Sequence, residues 1–147
     1  MNAPRTIVVA TDFGPSAEAA LDKAIGLAKK LDARIHLVHT YQLPIVGFPD
    51  GALVASAELV SRIIAGADAA FKRTLERHAG CGVPIETVLE QADAREGILA
   101  VAKRVKAEMI VVGTHGRKGI ARALIGSVAE SVVRTAAVPV LTVHAPE

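Results

Sequence analysis

The residues of this chain best suited to chemistry fall in one stretch, Met109 to Val143. A short apolar run, Met109–Val112, has the length and composition of a buried parallel strand. Gly113, Gly116 and Gly119 then punctuate a segment that also carries Thr114, His115, Arg117 and Lys118. Nine residues separate Gly116 from Gly126-Ser127. Glycine lets the backbone take positive φ and lets a ligand reach the main chain. Successive N–H groups in such a loop form a concave anion site, to which the following helix adds its dipole. Ala121, Leu124, Ile125, Val128, Ala129, Val132 and Val133 recur at helical spacing and predict one apolar face. Gly126 inside that pattern would cost about 1 kcal/mol relative to alanine. A helix that really begins near Gly126, or a close approach there, would explain it. A phosphate at Ser127 supplies such a reason; so does plain turn chemistry with tight helix–strand packing.

The second position of interest is Asp12, in Thr11-Asp12-Phe13-Gly14-Pro15-Ser16 at the end of the first apolar run. An Asp at a strand terminus can accept ribose hydroxyls or hold Mg²⁺ beside phosphate. It can equally close an Asx turn or cap the next helix. Rival motifs fail. Lys118 is not followed by Ser or Thr, so there is no Walker-type loop, and no Gly-x-Gly-x-x-Gly follows the first strand. His36 and His39 stand three apart on a strand and point to opposite faces, which prevents them from sharing a metal. His115 reaches phosphate or solvent. Spacing defines no Ser/His/Asp or paired-carboxylate set. Hydrolysis would need a positioned water and a charge-stabilising group at the γ-phosphate, and the sequence nominates neither.

The elements that must position these residues alternate regularly. Strands are expected at Thr6–Thr11, Arg34–Tyr41, Pro84–Leu89, Met109–Val112 and Val138–Val143. A helix starts at Pro15-Ser16, with Ala17, Ala20, Leu21, Ala24, Ile25, Ala28 and Leu31 on one face. Leu59, Ile63, Ala67, Ala70, Phe71 and Leu75 mark a long second helix, closed by Gly80-Cys81-Gly82. Asp93 followed by Glu96 resembles a capping box for a third, carried by Ile98, Val101, Ala102 and Val105. The order β-α-β-α-β-α-β-α-β implies a parallel sheet with helices on both faces, hence a single doubly wound α/β domain over residues 1–147. The loop Gln42–Gly51 is long, and its Ile45, Val46 and Phe48 either cover a ligand or partner or fold back on the domain.

Composition narrows the function. Of 147 residues, 51% are hydrophobic but only 3% aromatic, which suits a Val, Ile, Leu and Ala core. The net charge of +2 comes from interspersed charges and leaves no basic stripe, and the few aromatics give no base-stacking platform. No nucleic-acid partner is therefore expected. No run approaches the roughly 20 apolar residues of a membrane helix. The chain starts straight into a strand, and its single Cys81 cannot make an internal disulfide, so a cytoplasmic location is expected.

Gly113, two residues, Gly116, nine residues, then Gly126-Ser127 is similar to the nucleotide loop of ATP-binding universal stress proteins. The chain resembles that family along essentially its whole length, including the opening Ile-Val-Val-Ala-Thr-Asp and the closing Val-Pro-Val-Leu-Thr-Val. The resemblance implies an adenine nucleotide alpha hydrolase-like fold with strand order 3-2-1-4-5, which brings the loops after strands 1 and 4 together. It also implies an ATP site made of Ala10, Thr11, Asp12, Thr40, Val112, Gly113, Gly116, Arg117, Gly126, Ser127 and Val128. Within it, Gly113, Gly116, Gly126 and Ser127 would surround the triphosphate, Asp12 would lie near ribose and Mg²⁺, and Ala10 and Thr40 would border adenine. Family members pair their last strand across a two-fold axis, so a homodimer through Val138–Val143 is expected. The implied role is stress-responsive regulation with at most slow hydrolysis or autophosphorylation. A true ATPase or phosphotransferase, or a dimeric interaction protein without nucleotide, are the alternatives. Gly113→Val is expected to abolish nucleotide binding while leaving the fold and dimer intact, because a side chain there would intrude on the phosphates.

Overall fold

A computed structural model describes residues 5–43, 49, 56–115 and 125–146. Gly116, Arg117, Lys118, Gly119, Arg122 and most of the apolar loop expected at Gln42–Gly51 lie outside the described residues. Among the described residues five strands and four helices alternate as expected: β1 (Arg5–Ala10), α1 (Pro15–Leu31), β2 (Ala33–Tyr41), α2 (Ala57–Arg77), β3 (Ile85–Gln91), α3 (Ala94–Arg104), β4 (Met109–Gly113), α4 (Ser127–Thr135) and β5 (Val140–Val143). The strands form one parallel sheet in the order β3-β2-β1-β4-β5.

Alternation along the strands divides the core. Ile7 and Val9 of β1 and Ile35 and Leu37 of β2 face α1 and α2, where they meet Ala20, Leu21, Ala24 and Phe71. Val8, Val38, Ile110 and Val112 point the other way, onto Ile98 and Val101 of α3 and Ala129 and Val132 of α4. Each buried Val, Ile, Leu or Phe among these contributes roughly 1.5–3 kcal/mol by leaving water. Small residues on α1 (Ala17, Ala20, Ala24 and Ala28 are all buried) let that helix lie close over the sheet centre. His36 and His39 do take opposite faces: His36 is buried beside Glu86 of β3, whereas His39 stacks among aromatics on the α1–α2 side.

All five expected strands shift by one or two residues at an end, and two boundaries differ for a clear physical reason. The helical face expected from Ala121 does not continue through Gly126, whose backbone is extended (φ −62°, ψ 157°) and caps a helix starting at Ser127. Of the residues assigned to that face, Ala129 and Val132 are buried, but Ile125, Val128 and Val133 are 48%, 41% and 48% exposed. The reason is position. α4 packs against α3 and β5 near the edge of the sheet, where one strip of its surface meets the core. β5 begins at Val140 rather than Val138, because Pro139 has no N–H to give; its carbonyl accepts from Ile110 N–H at 3.0 Å instead.

α1 and α2 are pinned by charge as well. Glu18 pairs with Arg77, and His78 lies between Glu18 (3.2 Å) and Asp22 (3.7 Å). Glu18, Asp22 and His78 are spaced closely enough for a metal ion, but Arg77 already supplies the cation. The cluster therefore reads as a helix–helix tie.

Candidate functional site

The connections out of β1 and β4 leave in opposite directions, so the carboxyl ends of these adjacent strands open a crevice. The loop after β1 is held by its own side chains. Thr11 N–H donates to the Val38 carbonyl at 2.8 Å, carrying the chain away from the strand. Thr11 Oγ1 then accepts from Phe13 N–H, and Asp12 Oδ1 accepts from Gly14 N–H, each at 2.9 Å. The Asx turn anticipated for Asp12 is thus present, and it occupies one carboxylate oxygen. These turns force Phe13 into the left-handed region at φ 66°, a strain of about 1–2 kcal/mol for such a residue. Packing offsets it: the Phe13 ring lies 4.6 Å from His39 and 5.2 Å, edge-on, from Phe71. His39 Nδ1 is 2.8 Å from the Thr11 carbonyl. A carbonyl can only accept, so Nδ1 carries the proton.

The loop after β4 is built on close approach. A Cβ placed on Gly113 would stand 2.7 Å from the backbone of Ser16 in the first turn of α1. At Gly126 it would stand 2.8 Å from the Thr114 carbonyl, to which Gly126 N–H donates. Neither glycine is required by positive φ. They are required because two helix starts, α1 and α4, are drawn in against β4 and its extension. This corrects the expectation that Gly113→Val leaves the fold alone: a side chain there collides with α1 before it meets any ligand.

Neither helix start carries a side-chain cap. The N-cap residues are Gly14 for α1 and Gly126 for α4, whereas Ser56 caps α2 and Asp93 caps α3. The first-turn N–H groups of α1 and α4 have no intrahelical acceptor. They lie around a cleft of about 320 Å³, within the range of small-molecule sites.

Of the eleven positions assigned from sequence, Ala10, Thr11, Asp12, Thr40, Val112, Gly113, Gly126, Ser127 and Val128 line this cleft. Gly116 and Arg117 fall outside the described residues. The wall also includes Val38, His39, Ala94, Ile98, Thr114 and His115, which sequence reasoning did not assign to the site as lining residues. Ile98 was recognised only as a core position of α3. The Asp93–Glu96 signature did mark where α3 begins, and with it the position of Ala94. Asp12 is the sole carboxylate on the wall among the described residues, and no lysine or arginine side chain joins it there.

The model of the universal stress protein family matches residues 4–144. A universal stress protein of Methanocaldococcus jannaschii is 36% identical, over 99% of this chain and 85% of the relative. Among solved structures, a universal stress protein in complex with cAMP is 28% identical, with a TM-score of 0.71 and coverage of 99% of this chain and 100% of the other. One from Archaeoglobus fulgidus in complex with dAMP, at 22% identity, has a TM-score of 0.68 over 97% and 99% of the two chains.

Proposed function

This chain belongs to the universal stress protein family, and from that premise we propose that it is a cytosolic regulatory protein that binds ATP in the cleft between β1 and β4. The observation that carries this reading is the convergence of two uncapped helix starts on one crevice. Uncapped N–H groups and aligned peptide dipoles favour an anion, and together they can serve a phosphate chain. The opposite end of the cleft is walled by Val38, Ile98 and the methyl-bearing Thr40, a surface suited to the flat face of a base. A relative's complex with cAMP supports adenine as that base.

Mg²⁺ fits the same arrangement. Asp12 and a triphosphate are both negative, and no cationic side chain stands on the described wall to offset them. The Asp12 carboxylate oxygen not used by the Asx turn is a hard oxygen donor of the kind Mg²⁺ takes beside phosphate. When bound, the ion would neutralise phosphate charge; the helix starts and Ser127 would orient the nucleotide. Among the described residues that line the cleft, no carboxylate is paired with a histidine in a dyad that would activate water, and slow turnover is part of the proposal. The alternative is a true ATPase or phosphotransferase. A turnover well above ~1 per second would favour it, because kinases run at roughly 1–100 per second.

We further propose a homodimer through Val138–Val143. β5 is an edge strand paired only with β4 among the described residues, and Ile125, Val128 and Val133 of the neighbouring segment are left exposed. An unpaired apolar edge favours association. A monomer mass in solution at micromolar concentration would refute it.

The deciding experiment is calorimetric titration of nucleotide-free protein with ATP and Mg²⁺. Saturable binding is expected; absence of heat and of any protection against thermal unfolding would overturn the reading. Asp12→Asn sharpens the test, because an amide oxygen can still close the Asx turn while the charge is gone. Its melting temperature should match the parent's, while the gain in ATP affinity from Mg²⁺ should be lost. An unchanged Mg²⁺ effect would remove Asp12 from the metal's ligands.

A further inference from the structure

We propose that Thr114 is a phosphate-recognising residue of the cleft, and that His144, from beyond the end of β5, is the positioning residue that aims its hydroxyl. The inference rests on the nucleotide reading above and adds to it a side-chain contact that the glycine loop does not contain.

Thr114 is only 1% exposed yet lines the cleft. Its backbone is fully engaged: its N–H donates to the Val143 carbonyl at 3.0 Å, and its carbonyl accepts from Gly126 N–H. What remains is the hydroxyl, whose one partner among the described residues is His144 Nδ1 at 2.9 Å. A hydroxyl has one proton to give and two lone pairs. Two arrangements are open to the pair. If Nδ1 is bare, Thr114 donates to it and turns only lone pairs toward the cleft, which a phosphate oxygen would repel. If Nδ1 carries hydrogen, His144 donates to Oγ1 and the Thr114 proton is released to an anion in the cleft. The second arrangement matches the helix N–H groups around the cleft, since Thr114 then presents a donor beside them. In that arrangement the anion supplies the acceptor that the buried hydroxyl proton needs.

His144 is well placed to act this way. It directly follows Val143, whose carbonyl holds the Thr114 N–H, so the two contacts fix side chain and backbone from the same short segment. The ring of His115, also on the cleft wall, lies 6.2 Å from that of His144. Specificity follows from this chemistry. Adenosine offers no anion to the Thr114 proton, so the contact should distinguish phosphorylated ligands from the bare nucleoside.

The test compares the affinities of ATP and adenosine across Thr114→Val, Thr114→Ser, His144→Phe and His144→Asp. Loss of one hydrogen bond to a charged group predicts about a tenfold fall in ATP affinity for Thr114→Val, with adenosine affinity within twofold of the parent. Thr114→Ser should restore ATP affinity. His144→Phe should give a smaller loss of the same kind. His144→Asp should give a larger one, because a carboxylate takes the Thr114 proton for itself. Equal losses for both ligands, or none for ATP, would overturn the proposal while leaving nucleotide binding intact. A parent protein that binds neither ligand would overturn the nucleotide reading itself. A readout that needs no variant is the ¹⁵N spectrum of the histidine ring: His144 should carry hydrogen on Nδ1, and a bare Nδ1 would also overturn the proposal.

Discussion

The four helices among the described residues begin in two different ways. α2 and α3 start conventionally: Ser56 Oγ accepts from Leu59 N–H at 3.1 Å, and Asp93 Oδ2 accepts from Glu96 N–H at 3.4 Å. α1 and α4 start at glycines that offer no side chain. The difference does not follow simply from distance to the cleft, since Ala94 of the capped α3 also lines it. It follows from what approaches. α1 and α4 are drawn against the backbone of β4 and Thr114 so closely that no Cβ fits at Gly113 or Gly126. A capped helix satisfies its own first turn; an uncapped one, held near a partner strand, keeps its donors for something else. The comparison also separates two kinds of glycine. Gly26 and Gly66 lie in mid-helix with open space where a Cβ would go, and the structure gives no reason for either.

The comparison breaks first at Gly113. Gly113→Val should cost about 3 kcal/mol by forcing α1 away from β4, a fall in melting temperature on the order of 10 °C for a chain of this size. Retention of the parental melting temperature would mean that the contact with Ser16 is easily relieved, and that the glycine serves the ligand alone. Asp93→Ala should cost about 1 kcal/mol, as loss of an N-cap does, with ATP affinity unchanged because that cap turns inward to its own helix. A drop in affinity from Asp93→Ala would make α3 part of the anion site and erase the distinction. The smallest effect is expected at Gly66→Ala, which should stabilise the protein by roughly 0.5–1 kcal/mol. Destabilisation there, read by urea unfolding, would reveal a close neighbour at this glycine.

Much of the architecture is legible in the chain, because the signals are local. Alternating short apolar runs and 3.6-residue periods specify βα units, and such units leave few arrangements other than a parallel sheet covered on both sides. The Asp93–Glu96 spacing placed the start of α3, and Asp12 showed its turn chemistry. The strand order and the list of cleft residues came through family resemblance, not through periodicity. Where reading failed, it failed for want of a neighbour. The pattern from Ala121 has the right period for one continuous face, yet Ile125, Val128 and Val133 remain exposed. Period reports that a face is apolar; it does not report whether anything in the same chain covers it.

The sequence by itself determined which elements form and in what order, since backbone dihedrals, capping and hydrophobic period act over a few residues. Only the tertiary structure decided why particular residues must be what they are. Gly113 looks like a ligand glycine until Ser16, nearly a hundred positions away in the chain, is seen 2.7 Å from where its Cβ would lie. Thr114 and His144, 30 residues apart, become partners only when β5 pairs with β4. Contacts of that kind depend on the closed sheet, and spacing along the chain carries no record of them.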